Sequence, residues 1–498
     1  MKRIDPWTTL LPFGAIAVLC AVFIAAPDRS QAVLNAIHTF LGTSFGWYYL
    51  VIGLGVFLIS LAVAFSPLGT IRLGKPEERP QYGFWSWGAM IFTCGLAADI
   101  LFYSLCEWIY YAQEPYILEK GALKEWAPAY SLFHWGPIPW SFYAVLAACF
   151  GFMLHVRGVG KQKYSEACRP ILGAYTDRAP GKLIDLLAVF ALIAGTATTF
   201  SVATPLLSAA LSALTGFPES KYLTIGILLC VCLIYTLAVV RGIRGVSWLA
   251  NACMILFGAL LAYVLLFGGQ VGFILKTGVA SVGRLIAQFF PFAVHNGTDF
   301  ARNWTIFYWA YWMVWCVASP FFMGSVSRGR TVRQVILGAY GFGMSSTLIA
   351  FLVFGNYGLG LQISGRFDAL GFYAAAGNIY ETVLSMLRML PVHGIALALL
   401  VLSMAAFYAT SFDSITIVAS AYSYREQPDG AEASGRMKLF WALLLILLPI
   451  ALIFSESGMT NLQTVSIIAA FPIGLVMILI IIAFLRDARR YLRETEEE

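Results

Sequence analysis

Seven aromatic side chains fall within twelve consecutive positions: Trp304, Phe307, Tyr308, Trp309, Tyr311, Trp312 and Trp315. Aromatic residues gather at membrane–water interfaces, and such a belt accounts for Trp304, Phe307 and Tyr308. It accounts poorly for the deeper ones. Trp315 lies about 16 Å along a helix from Trp304, near the midplane of a hydrocarbon core roughly 30 Å thick. Tyr311, Trp312 and Trp315 share one helical face, being three and four residues apart. Aromatic faces that converge where water is excluded hold a quaternary ammonium by cation–π attraction, about 2 kcal/mol or more. The same rings would also serve as plain helix-packing bulk, and the local pattern leaves both readings open.

Two carboxylates, Asp99 and Glu107, stand in an otherwise apolar stretch. A carboxylate near the bilayer centre costs roughly 2.5–3.5 kcal/mol on insertion scales and is functional by default. Counted from Trp85, Asp99 is about 21 Å into its span, with Phe102 and Tyr103 on its face. It suits a counter-charge to a cationic substrate, a protonatable coupling group, or a polar pair holding two helices. Hydroxyls form a third group: Thr410 and Ser411 with Asp413 and Ser414, and Gly195-Thr196-Ala197-Thr198-Thr199. Adjacent hydroxyls beside freed carbonyls suit a hard cation such as sodium; they also back-bond to their own helix. Small residues at 195–199 would let helices approach closely.

These residues need a membrane-embedded scaffold, and the composition supplies one. Of 498 residues, 60% are hydrophobic and 12% charged, with a mean hydropathy of +0.78; a soluble domain carries about 25% charged residues. The apolar runs predict twelve spans, at 9–27, 46–67, 85–111, 138–156, 183–212, 222–240, 249–270, 304–323, 333–357, 390–418, 437–455 and 462–485. With the N-terminus inside, the inner segments carry 23 of the 32 Lys and Arg residues, so the positive-inside rule puts both termini in the cytoplasm. This bias accounts for the net charge of +6 without a nucleic-acid partner. The start does not read as a signal peptide, because its apolar run is too long and lacks a small-residue cleavage site. Two amphipathic stretches read as interfacial helices: Val282, Leu285, Ile286, Phe289 and Phe290 within 271–303, and Phe372 to Leu387. The nine cysteines sit almost wholly in spans, and Cys230 with Cys232 makes no metal-binding spacing; neither a disulfide nor a metal site is expected.

The run Trp304-Thr305-Ile306-Phe307-Tyr308-Trp309-Ala310-Tyr311-Trp312, ending in Ser327-Arg328-Gly329-Arg330-Thr331, closely resembles the signature of the betaine/choline/carnitine transporter family. Phe133-His134-Trp135-Gly136, Pro139-Trp140 and Thr410-Ser411-Phe412-Asp413-Ser414 resemble it too, in the same order over nearly the whole chain. The resemblance implies an all-helical integral membrane protein of twelve spans with a LeuT-type fold. Two extra helices (1–84) would precede a first five-helix repeat (85–270), an extracytoplasmic interfacial linker (271–303), an inverted second repeat (304–485) and a short tail (486–498). It also implies a homotrimer in the bacterial inner membrane that works by alternating access. Spans 3 and 8 would then be the equivalent first helices of antiparallel repeats.

Carried over residue by residue, the aromatic box would be Tyr311, Trp312 and Trp315, with Trp135, Trp140 and Tyr143 as a companion cluster nearer the outside. A coupling-cation site would fall on Thr93, Leu96, Phe407, Thr410 and Ser411. Three departures stand out. Where glycine betaine carriers have a Gly-rich stretch, this chain reads Gly95-Leu96-Ala97-Ala98-Asp99, and an aspartate there resembles choline carriers. Tyr311 stands where many members have Trp. Sodium-independent carnitine exchangers carry an arginine in span 7; the matching position here is Ser247, with Arg244 close by.

The resulting expectation is ion-coupled symport of choline, glycine betaine, carnitine or a related trimethylammonium compound, with Na+ or H+ as coupling ion and no other cofactor. The alternative is sodium-independent exchange of carnitine-like substrates. An integral-membrane enzyme lacks a nucleophile motif or metal cluster to support it, and a channel lacks a filter-like loop.

Overall fold

The computed structural model describes residues 3–240, 243–426, 433–454 and 459–496. The described elements are helical, apart from a short antiparallel pairing of Arg3–Ile4 with Tyr424–Glu426 and an isolated bridge between Arg72 and Thr331. Among the described residues seven helices are long and apolar enough to cross a membrane, or nine when two bent pairs are each counted as one span. Apolar side chains face outward as well as inward, for example Val51, Phe65 and Ile286. That is the surface a hydrocarbon solvent stabilises and water does not.

Each of the twelve expected apolar segments falls on a helix or a bent pair, but not all meet the length criterion. The described apolar parts of the first, sixth and seventh, Pro6–Leu19, Lys221–Ile234 and Asn251–Phe267, are shorter. The long, largely buried helix Ala179–Thr215 packs on His393–Tyr422 and on the C-terminal helix Met459–Glu496. The expected fourth span starts earlier than its hydropathy suggests, as Leu123–His134 followed by Pro137–His155.

Three details differ from expectation. Residues 28–45, read as a connection, form the helix Pro27–Ser44, with proline at its start and Asp28 in its first turn, where each is favoured. The stretch Phe372 to Leu387 is two helices, Ala369–Ala376 and Ile379–Arg388. Gly377 ends the first in a left-handed conformation (φ 63°) and the Asn378 side chain caps the second, so a Gly-Asn pair supplies both a stop and a start. Val271–Val294 meets the length and apolarity criterion for a span. Even so, its start (Gln270 on Ser364), middle (Arg284 on Glu125) and following turn (His295 on Tyr116) all touch one end of the molecule.

The opposite end holds both termini. Asp5 N–H donates to the Ser423 carbonyl at 2.7 Å, and Tyr164 N–H to the Tyr422 hydroxyl at 3.0 Å. Arg157 makes a two-pronged ion pair with Asp487 near the C-terminus. The segments around Leu73 and Arg330 pair at that same end.

Candidate functional site

Two helices are broken inside the bundle. Phe84–Thr93 and Ala98–Tyr111 meet at 65°, and Ala301–Trp315 and Ser319–Ser325 at 51°. In the first break, Gly95 N–H bonds the Phe92 carbonyl and Leu96 N–H that of Thr93, closing the first half with tight turns. Ala97 is then extended (φ −132°, ψ 158°) before the second half begins. Gly95 is required there by space: a Cβ would lie 2.1 Å from Ser346 Oγ and 2.8 Å from the Trp140 ring. The second break follows Trp315, at Cys316–Ala318.

Between the breaks lies a cavity of about 890 Å³. Its inner wall includes Asp99, Trp135, Tyr143, Tyr311, Trp312 and Trp315. It reaches the end of the molecule that carries the termini, where Tyr82, Gln162 and Lys438 line it.

Trp312 is the hub of the aromatic wall. Its ring lies 5.8 Å from Trp135, 5.6 Å from Trp140 and 5.0 Å from Tyr143, all steeply inclined. Trp312 thus joins the two expected aromatic groups. Trp140 does not line the cavity; it is fully buried behind it, donates from Nε1 to Thr347 Oγ1 at 3.0 Å, and fills the space left by Gly95 and Gly343. Trp315 is partly exposed to the cavity, and Gly195 accommodates its edge, with a hypothetical Cβ 3.3 Å from Nε1. This is the close approach that the small residues at 195–199 foreshadow.

Asp99 sits in the first turn of the Ala98–Tyr111 half-helix, 3% exposed. A helix N-terminus favours an anion through its free N–H groups and dipole. The Tyr311 hydroxyl donates to Asp99 Oδ2 and is itself hydrogen-bonded to Thr199 Oγ1. Three elements thus orient one carboxylate, while its Oδ1 has no protein partner. Trp312 Nε1, on the same wall, is also without one. No basic side chain lies within ion-pair distance of Asp99 among the described residues.

The residues named for a coupling cation converge only in part. Thr93, Leu96, Thr410 and Ser411 line the cavity, whereas Phe407 is fully buried against Phe257, 5.7 Å away. Thr93 Oγ1 donates to the Met90 carbonyl at 2.9 Å, and Thr410 Oγ1 to that of Phe407 at 3.0 Å. Back-bonding of this kind uses the hydroxyl hydrogen of each threonine. Arg244 and Ser247 fall on the helix Ile243–Phe267, and Asp413 and Ser414 on His393–Tyr422; their side chains lie outside the described ones.

Several lining residues were not singled out from sequence: Met90, Cys94, Asn251, Ser319, Gln162 and Lys438. Asn251, a polar residue in an apolar run, was a usable signal; Lys438 reads in sequence only as one more inner positive charge. Glu107 stands out in sequence but received no role. It is 1% exposed and accepts from Trp135 Nε1 at 2.9 Å and from the Tyr308 hydroxyl.

The family model described as "BCCT, betaine/carnitine/choline family transporter" matches residues 7–493. The chain is 30% identical to the glycine betaine transporter OpuD of Bacillus subtilis, over 98% of this chain and 95% of that protein. It is 28% identical to the high-affinity choline transport protein of Escherichia coli, over 95% of this chain and 71% of that protein. To the betaine/ectoine transporter LcoP of Corynebacterium glutamicum it is also 28% identical, over 95% and 77%. A broken helix pair, a cavity walled by aromatics and a match across almost every residue agree: the chain belongs to the betaine/carnitine/choline family of membrane transporters and is not an enzyme.

Proposed function

We propose that this protein imports a quaternary ammonium compound by ion-coupled symport, and that the substrate carries net positive charge, as choline does. The observation that carries the reading is Asp99, a buried carboxylate with one free oxygen on the wall of an aromatic cavity. A trimethylammonium group would rest against the faces of Trp312, Trp315 and Tyr311, each such contact worth about 2 kcal/mol or more when water is excluded. Asp99 would supply the counter-charge, held in place by Tyr311 and Thr199. Trp135 and Tyr143 complete the wall and Trp140 buttresses it. A zwitterion would need a cation for its carboxylate. Lys438, the basic residue lining the cavity, lies at its mouth.

Alternating access would be carried by twelve spans in two inverted five-helix repeats, with the two broken helices as the equivalent first members. The bends of 65° and 51° support that equivalence. With the termini in the cytoplasm of a bacterium and the protein in its inner membrane, the cavity mouth makes this an inward-open conformation. Thr93, Leu96, Thr410 and Ser411, backed by Phe407, would take the coupling ion, sodium or a proton. The working assembly would be a homotrimer.

The test is uptake of radiolabelled choline into proteoliposomes by wild type and Asp99→Gly, with sodium and proton gradients imposed separately. Choline accumulation that the substitution removes supports the reading, and the driving gradient identifies the ion. A wild type that ignores choline under either gradient refutes the cationic substrate. Carnitine or betaine counterflow without any gradient would make the protein an exchanger instead.

A further inference from the structure

Two turns beyond Asp99 the same half-helix carries Glu107, a second buried carboxylate in different surroundings. One oxygen, Oε2, accepts from Trp135 Nε1 and the Tyr308 hydroxyl. The other, Oε1, makes no hydrogen bond of ordinary distance and angle, although the Ser131 and Tyr111 hydroxyls lie near the carboxyl. Glu107, Trp108 and Ser131 border a small space of about 10 Å³, together with Ser104, Pro128, Phe351 and Gly355; that is room for about one water molecule. Trp108 Nε1 is without a partner as well.

The groups that face Glu107 carry no compensating charge. On its own helix they are Tyr103, Cys106 and Tyr111; neighbouring elements bring Ser131, Trp135 and Tyr308, with His134 behind Tyr111 and Tyr308. No basic side chain is within ion-pair distance of it among the described residues. His134 has a hydroxyl on each ring nitrogen, Tyr111 at 2.6 Å and Thr305 at 2.9 Å. Neutral imidazole satisfies both, donating from one nitrogen and accepting on the other. An ionised Glu107 would therefore be a buried charge with no counter-ion, the arrangement that desolvation penalises most. A proton on Oε1 removes the charge and turns that oxygen into a donor toward the Ser131 side of the small cavity.

The location matters as much as the surroundings. Glu107 lies in the aromatic seal between the cavity and the far end of the molecule. Tyr103 and Tyr308 pack on Trp135 at 5.6 and 5.2 Å, Trp304 on Tyr308 at 6.2 Å, and Tyr110 on Trp304 at 5.6 Å. Its two donors come from separate elements, Trp135 from the end of Leu123–His134 and Tyr308 from the broken helix.

We propose that Glu107 is a proton-binding site separate from Asp99, protonated on Oε1 while the far end is sealed and exchanging that proton with external water when the seal opens. The inference rests on the carrier reading above, but its first test requires no substrate. Infrared spectra of the purified protein at neutral pH should contain a protonated-carboxyl carbonyl band that is lost in Glu107→Gln and retained in Asp99→Asn. Tyr308→Phe, which keeps the carboxyl but removes a donor, should shift that band, and it serves if Glu107→Gln does not fold. In proteoliposomes Glu107→Gln should keep substrate counterflow while a pH gradient no longer drives accumulation. A wild type without the band, a band indifferent to both substitutions, or pH-driven accumulation intact in Glu107→Gln would overturn the proposal. A band abolished by sodium would overturn it too, assigning the site to a metal cation. A Glu107 band in a protein that ignores choline would sink the substrate reading and leave the proton site standing.

Discussion

Replacing Asp99 by asparagine isolates the charge from the shape of the site. The amide keeps an oxygen to accept from the Tyr311 hydroxyl and nearly the same volume, so the wall of the cavity is retained. What is lost is the Coulomb attraction to the quaternary nitrogen, which methyl groups hold at about 5 Å from a carboxylate oxygen. At an effective dielectric constant of about 20 that attraction is roughly 3 kcal/mol, or on the order of 10²-fold in Kd. The assay is equilibrium binding of labelled choline to purified protein, with displacement by the carbon isostere 3,3-dimethylbutanol, which has the same outline and no charge. Asp99→Asn should weaken choline by that factor and leave the isostere within about threefold, since half a kcal/mol is ordinary context dependence. Equal losses for both ligands would mean that Asp99 acts through shape. Wild-type choline affinity in the folded variant would refute the counter-charge argument outright.

Trp312→Ala with Trp315→Leu should abolish choline binding while the protein stays folded, as judged by gel filtration and circular dichroism; wild-type affinity in that double variant would remove the aromatic cage. Gly95→Ala forces a Cβ to 2.1 Å from Ser346 Oγ and 2.8 Å from Trp140, so overpacking of about 1–3 kcal/mol should appear as a lowered Tm in detergent, with Ser346→Gly restoring part of it. Outside the spans, burial holds the pKa of His38 and of His295 below 6.5, aided by Arg302 and Lys120 respectively. A base whose folded pKa is lowered takes up its proton more readily unfolded, so stability is present above pH 6.5 and falls as pH drops below it. Thermal denaturation across that window should flatten in a His38→Gln, His295→Gln variant.

Much of the scaffold is legible because hydrocarbon selects crudely: a run of apolar residues long enough to span must become a helix whatever its neighbours do. The helix positions at 46–65, 179–215 and 393–422 follow from that alone. Where hydropathy is mixed, it fails. Pro27–Ser44 has too many polar residues to register, and its helix depends on the proline and Asp28 of its first turn and on packing against the C-terminal helix, with Phe45 on Phe471 at 5.2 Å. The split at Gly377-Asn378 was available in the turn chemistry but is masked by an apolar pattern running across it.

For the site, residue type and spacing pointed to the acid and the aromatic residues that line the cavity, since an acid or a tryptophan at mid-membrane depth is conspicuous against aliphatic residues. Partnership was not readable. That Tyr311 holds Asp99 while Tyr308 holds Glu107 depends on how two antiparallel helices are registered, and so does the placement of Trp140 behind Trp312. The backbone breaks at 94–97 and 316–318 are equally silent in sequence, because small apolar residues there are compatible with continuous helix. Sequence alone thus determined the membrane setting, the helical class and the chemistry of the side chains, all properties of individual residues or short runs in a hydrocarbon solvent. Only the tertiary structure decided which carboxylate oxygen is left without a partner, because that depends on donors arriving from helices about 200 residues apart along the chain.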